Sequence, residues 1–192
     1  MWNTLLFRHH ALGTALIATA FAVAAIGAAV ATATPGTPAG GSIHVFGTSP
    51  GTGGGGKVLI TRAVGDHASS RTVTKAGQSD SNGSYVKLTL TKGTIVLNKT
   101  KLDASVNRAY GSLVVNPGTC STAIIASGPL SVVGGTALYK GISGTAHVTV
   151  SVGFLLPRYT SGAHAGQCNE SNSAQPTASL QLVDGTGTVS LG

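Results

Sequence analysis

The chain has 192 residues, 28 of them glycine, with only 9% charged, 5% aromatic and a net charge of +7. That length holds one domain of ordinary size, and low charge with a positive mean hydropathy excludes an intrinsically disordered chain. So few rings beside a basic excess argue against nucleic acid as a partner, because stacking on single strands needs aromatic side chains.

Residues 1–33 have the three parts of a secretory signal peptide. Arg8, His9 and His10 form a short basic start, the run from Ala11 to Val30 is apolar, and Ala31-Thr32-Ala33 is an A-x-A cleavage site ahead of Thr34-Pro35. The expectation is a helical leader cleaved near Ala33, with Ala29-Val30-Ala31 as an alternative site. Retention of the same run as a membrane anchor is the competing fate, since it is just long enough to span a bilayer. Either way the expected location is secreted or cell-surface. Cleavage removes Arg8 and no acidic residue, so the remaining domain stays basic. A domain of that size buries roughly 70% of its unfolded surface, enough for a core.

Residues 34–42 read as a Pro/Gly-rich flexible tether, and 43–192 as the folded domain. The first predicted strand is Ser42 to Phe46. A loop from Ser49 to Gly56 comes next, and Gly51, Gly53 and Gly56 satisfy a G-x-G-x-x-G pattern. Phosphate binding there would need a helix N-terminus behind the loop. The loop leads instead into the β-branched run Lys57-Val58-Leu59-Ile60-Thr61, with Val58 where a metal-binding hydroxyl should stand, so no nucleotide cofactor is expected.

Val58 to Val64 predicts a strand ending at Gly65-Asp66-His67, and Arg71 to Thr74 a further run. Asp80-Ser81-Asn82-Gly83 is a turn signal. Behind it Val86, Leu88 and Leu90 alternate with Lys87, Thr89 and Thr91, and Ile95 and Leu97 continue after Lys92-Gly93. Period-two alternation with one apolar face is a half-buried antiparallel strand. Further strands are expected at Ala109–Val115, at Cys120–Ile125 and, after a break at Gly128-Pro129, at Leu130–Val133. The longest alternation runs from Ala146 through Val148, Val150 and Val152 to Phe154. A polar loop from Arg158 to Thr177 precedes a last strand at Ala178–Val183 or Gly185–Leu191, the latter able to close a barrel. No 3.6-residue apolar stripe shows beyond the leader. Many strands at this spacing mean an all-β sandwich or barrel, and an antiparallel order without crossover helices fits a single up-and-down barrel.

Two cysteines, Cys120 and Cys168, remain in a chain expected to meet an oxidising compartment, so they predict one structural disulfide. It closes a loop of roughly fifty residues, which the chain-entropy account credits with about 4 kcal/mol. His164 and Cys168 are too few ligands for a metal site.

Between Val133 and Ala146 lies Gly134-Gly135-Thr136-Ala137-Leu138-Tyr139-Lys140-Gly141-Ile142-Ser143-Gly144-Thr145. Glycine pairs let two backbones approach closely and reach positive φ, as a tight barrel corner requires. Tyr139 and Ile142 can then fold over the open end as a plug. The pattern carried by Gly134, Gly135, Thr136, Tyr139, Gly141 and Gly144 resembles the corner of the allene oxide cyclase and dirigent-like barrel superfamily. The resemblance implies an eight-stranded antiparallel barrel holding a mostly apolar ligand. It also implies one of two kinds of work: steering an unstable epoxide to one ring-closed product, or imposing stereochemistry on a radical coupling. No motif outside the corner aligns, so no pocket residue carries over.

Among titratable groups, Asp66-His67 is placed at a strand end, where a carboxylate beside an imidazole can orient a proton donor. His147 falls on the polar face of the best strand, facing outward or lining a cavity. These three are the candidate catalytic residues. Asp80 and Asp184 read as turn residues, and Asp103 and Glu170 as solvated. No G-x-S-x-G elbow points to a hydrolase. Lys57, Arg62, Arg71, Lys75, Lys87, Lys92, Lys99, Lys101 and Arg108 crowd the first half of the domain. The expected partners are therefore a small apolar ligand or, in a non-catalytic envelope protein, an anionic cell-envelope polymer. Sequons at Asn82, Asn98 and Asn169 matter only in a host that glycosylates.

Overall fold

The computed structural model describes residues 40–49, 55–171 and 173–192. The predicted leader, most of the tether and the loop glycines Gly51 and Gly53 lie outside the described residues. Eight strands and one helix succeed one another in chain order: β1 Gly40–Ser49, β2 Gly56–Arg62, β3 Asp66–Val73, β4 Tyr85–Leu90, β5 Gly93–Asn98, α1 Thr100–Gly111, β6 Ser121–Ala137, β7 Ser143–Leu155 and β8 Ala178–Ser190. Each strand pairs antiparallel with the next, and β8 returns to β1 to close the barrel. The seam is long, running from Gly40 opposite Ser190 to Ser49 opposite Gln181. Closure leaves no sheet edge exposed along that seam.

The alternation read from the sequence becomes the inner face. Ile43 and Val45 of β1, Ile60 of β2, Leu88 and Leu90 of β4, Ile95 of β5, Ile124 and Leu130 of β6, and Ala146, Val148, Val150 and Val152 of β7 are buried in one cluster. The residues between them face solvent, as period-two geometry requires.

Several local expectations are corrected. β1 begins at Gly40, so the end of the expected tether is strand. Asp66-His67 opens β3 rather than ending a strand. The strand expected at Ala109–Val115 is replaced by α1, which ends at Gly111. Its apolar stripe is only Leu102, Val106 and Ala109, at helical spacing, and all three pack on the barrel core. An i,i+4 pair, Lys99 Nζ to Asp103 Oδ2 at 2.6 Å, spans its first turn. Gly128-Pro129 does not break β6, which is continuous. β5 reaches only from Ser131 to Ala137 along β6, so Pro129 stands where β7 is the one strand neighbour, an edge-like position that a strand proline tolerates. α1 packs against that uncovered flank. A Cβ at Gly128 would lie 2.9 Å from Leu102 Cα, so the glycine is what lets the helix dock.

The glycine corner also sits differently. Gly134 and Gly135 lie inside β6, beside a bulge where the β5 register slips between Val96 and Leu97. The turn itself is 138–142, and Gly141 (φ +81°) and Gly144 (φ +140°) take the left-handed conformations around it. The last strand is a single thirteen-residue element rather than one of two shorter runs.

The two ends of the barrel are unlike. At one, the connections are short: residues 63–65, 91–92 and 138–142. At the other, the β3–β4 segment, α1 with its flanking residues and the 156–177 loop all crowd together. The Cys120–Cys168 disulfide ties the middle of that last loop back to the start of β6. Arg158 adds to the tie, donating to the carbonyls of Gly118 and Gly166, each at 2.6 Å.

Candidate functional site

At the short-turn end the bottom of the barrel is closed by a buried polar contact. Tyr139, 1% exposed, turns inward from the β6–β7 turn and its hydroxyl donates to Asp66 Oδ2 at 2.8 Å. The hydroxyl of Thr91, from the β4–β5 turn, donates to Asp66 Oδ1 at 2.7 Å, and the backbone N–H of His67 donates to the same oxygen at 2.7 Å. Three separate hairpin turns thus meet on one carboxylate. Burial pushes the Asp66 carboxyl up, but hydrogen bonds from Thr91, Tyr139 and the backbone of His67 outweigh it and hold the group well below the usual carboxylate range. The same contact acts in the opposite sense on its donor: burial first, then the Asp66 hydrogen bond and charge, pushes Tyr139 up to about 12.

The imidazole of His67 does not join this network. Its Nδ1 is 3.8 Å from Asp66 Oδ1 and the ring is exposed on the outer wall. His147 is exposed on the outer face of β7, between the inward-facing Ala146 and Val148. The three candidate catalytic residues are therefore not one constellation. Asp66 is inside at the sealed end, and the two histidines are outside.

The long-loop half of the barrel is not filled. A cavity of about 470 Å³ lies there, and none of Asp66, His67 or His147 lines it. Its wall is aliphatic: Val45, Val58, Val86, Leu88, Leu97, Leu130, Val150, Val152 and Val183 from the strands, with Leu102 and Val106 of α1 across one side. Polar groups gather at the rim, where Thr48, Ser49, Ser70, Thr72, Ser79, Ser81 and Gln181 are joined by Lys57, Arg71 and the Lys99–Asp103 pair. Tyr110 completes the rim from α1, its ring 5.9 Å from that of Phe154 and its hydroxyl pushed up by burial. An aliphatic wall with polar groups gathered at one end is a composition that small-molecule sites share.

The reason for this space is readable strand by strand. β8 contributes Gln181, Val183, Gly185 and Gly187 to the inner face. Gly185 and Gly187 lie against β7, where a Cβ would come 2.6 Å from Val148 Cα and Ala146 Cα respectively. The barrel wall is thus drawn in toward the sealed end, leaving the space at the other. Sequence reasoning misses Lys99, Asp103 and Tyr110 as site residues because α1 reads there as strand and loop. The signal that finds them is the Leu102–Val106–Ala109 stripe.

Among the described residues no group of three or more His, Cys, Asp or Glu side chains is placed to hold a metal ion. The fold and the cavity together define the chain as a closed antiparallel barrel with a one-ended aliphatic lumen. Comparison with family models, curated proteins and solved structures finds no match to the chain.

Proposed function

We propose that this chain is a secreted barrel that binds a small apolar molecule in its lumen, in the manner of the dirigent-like barrels its glycine corner resembles. The observation that carries the reading is the aliphatic cavity of about 470 Å³, reached from the long-loop end and closed at the other by Tyr139 and Asp66. Such a wall offers shape and exclusion of water rather than acid–base groups. With a reactive ligand, its effect is to restrict conformers and so guide ring closure or coupling. The Cys120–Cys168 bond is in keeping with an oxidising compartment.

The test is binding of a neutral apolar fluorophore, 1-aminoanthracene, to the purified chain and to two variants. Val152→Trp fills the lumen from β7, whereas Ile125→Trp places the same bulk on the outer wall, where Ile125 is 70% exposed. Binding is expected to weaken by about tenfold or more in Val152→Trp and to be unchanged in Ile125→Trp. Equal binding by all three proteins places the probe outside the lumen and overturns the reading.

A further inference from the structure

The outer wall carries a second feature, which begins at the rim of the lumen. In the β3–β4 ladder Arg71 stands directly opposite Lys87. By strand alternation both side chains lie on the outer face, between Ser70 and Thr72 of β3 and between Val86 and Leu88 of β4, and Arg71 also reaches the rim of the cavity, as Lys57 does. Lys57 lies on the neighbouring strand β2, opposite Ser69 and so one step diagonal to Arg71. Like charges directly opposed across a ladder are destabilising, and Lys87 is half-buried in that position.

No carboxylate of the chain is placed to neutralise them. It has five acidic residues in all. Asp66 is bound to Tyr139, Asp103 pairs with Lys99, Asp184 pairs with His44, Asp80 caps its own turn through the Asn82 N–H, and Glu170 lies on the 156–177 loop. None of Lys57, Arg71 and Lys87 forms an ion pair among the described residues.

We infer that this wall is a binding surface for an acidic polysaccharide, with Lys57, Arg71 and Lys87 meeting successive carboxylates of one chain. Adjacent strands lie about 4.8 Å apart, so the three cations form a short diagonal row rather than a point charge. A polymer bearing one carboxylate per sugar can satisfy a row of that kind. The Arg71 guanidinium can take a carboxylate bidentately, and the lysines act as point charges beside it. The exposed hydroxyls of Ser69, opposite Lys57, and of Thr89, opposite Ser69, stand beside the cations on the same face. Hydroxyls there suit a sugar, whereas binding of single-stranded nucleic acid favours exposed rings for stacking.

The experiment measures binding of the purified chain to polygalacturonate across a salt series, with a neutral glucan as baseline. The double variant Arg71→Gln/Lys87→Gln is expected to bind about tenfold more weakly, the loss of two charge contacts, and with a shallower salt dependence. Its melting temperature is expected to rise by about a degree or two as the opposed charges are removed. Lys92→Gln/Lys140→Gln removes the same net charge from turns at the short-turn end and is expected to bind as the parent does. An equal loss in that control reduces the effect to net charge and overturns the proposal. A lower melting temperature in the Arg71/Lys87 variant, or tighter binding to single-stranded DNA of matched length than to polygalacturonate, overturns it as well.

Discussion

The two ends of this barrel solve the same problem, how to finish a closed sheet, with opposite means. At the short-turn end three hairpins converge, and Tyr139 and Thr91 both donate to the Asp66 carboxylate. At the long-loop end the wall is finished by α1 and a disulfide-tied loop, and a cavity of about 470 Å³ remains. A closed barrel of eight strands has an interior just wide enough for side chains to fill or for one small ligand. Which outcome prevails at a given level depends on what the inward positions carry. Ile142 and Tyr139 fill the sealed end, whereas valines leave space at the other. The sealed end is packed shut, and the other end keeps its space.

The largest effect should come from removing the seal. Tyr139→Ala takes out a fully buried ring and leaves the Asp66 carboxylate short of a donor, at an expected cost of roughly 3–5 kcal/mol. Tyr110→Ala at the other end removes a ring that is 45% exposed and should cost under about 1 kcal/mol. Thermal unfolding of both variants checks the pair. Equal losses would mean that the ends do not differ in the way their geometry indicates.

The sealed end is legible in the sequence and the open end is not. Glycines at Gly135, Gly141 and Gly144 announce a tight corner, because Gly141 and Gly144 take positive φ and Gly135 leaves no room for a Cβ. At Gly135 the approach is to the carbonyls of Tyr139 and Thr94, within the strand rather than at its close. The all-β class can be read from the alternation of β4, β5 and β7, whereas closure into an eight-stranded barrel is implied only by the glycine corner, since β3, Asp66–Val73, has little apolar face to read. What alternation does not carry is which inward valines touch one another and which face empty space. That depends on strand stagger and on the position of α1. The helix itself is hidden because its stripe is short and is set among polar residues that suit a loop equally well. Asp66 and His67 are neighbours in sequence, and a proton-donor pair is a natural expectation. In a strand, neighbours point to opposite faces, so the same adjacency sends one inside and one outside.

A second pair of substitutions sharpens the contrast by adding rather than removing volume. Ala146 is inward on β7 and crowded by β8, where even a Cβ on Gly187 would come 2.8 Å from its own Cβ. Ala146→Leu is expected to destabilise by about 1–3 kcal/mol through overpacking. Val152, six residues further along the same strand, borders the cavity. Val152→Leu has room and should change stability by less than about 1 kcal/mol. Denaturant midpoints with unchanged slopes would show that only native packing is affected. A large cost at Val152 would mean that the space beside it closes in solution.

The smallest expected effect is confined to the extremes of pH, and it isolates the contact at the base of the barrel. The folded-state value of Asp66 lies below the unfolded one of about 3.9, so its contribution is fully present above that value. It is lost progressively as pH falls toward the folded value, because the unfolded chain binds the proton more readily. Tyr139 behaves in the reverse sense. Its folded value of about 12 exceeds the unfolded value of about 10, so its contribution is complete below pH 10 and is lost between the two. Melting temperature against pH should therefore fall at both ends for the parent protein. Asp66→Asn should flatten the acid limb, because it removes the carboxylate that the three donors hold. Tyr139→Phe should flatten the alkaline limb while leaving the cavity end untouched. Parallel curves for parent and variants would show that the Asp66–Tyr139 hydrogen bond does not persist in solution, and the seal would then rest on the packing of the ring alone.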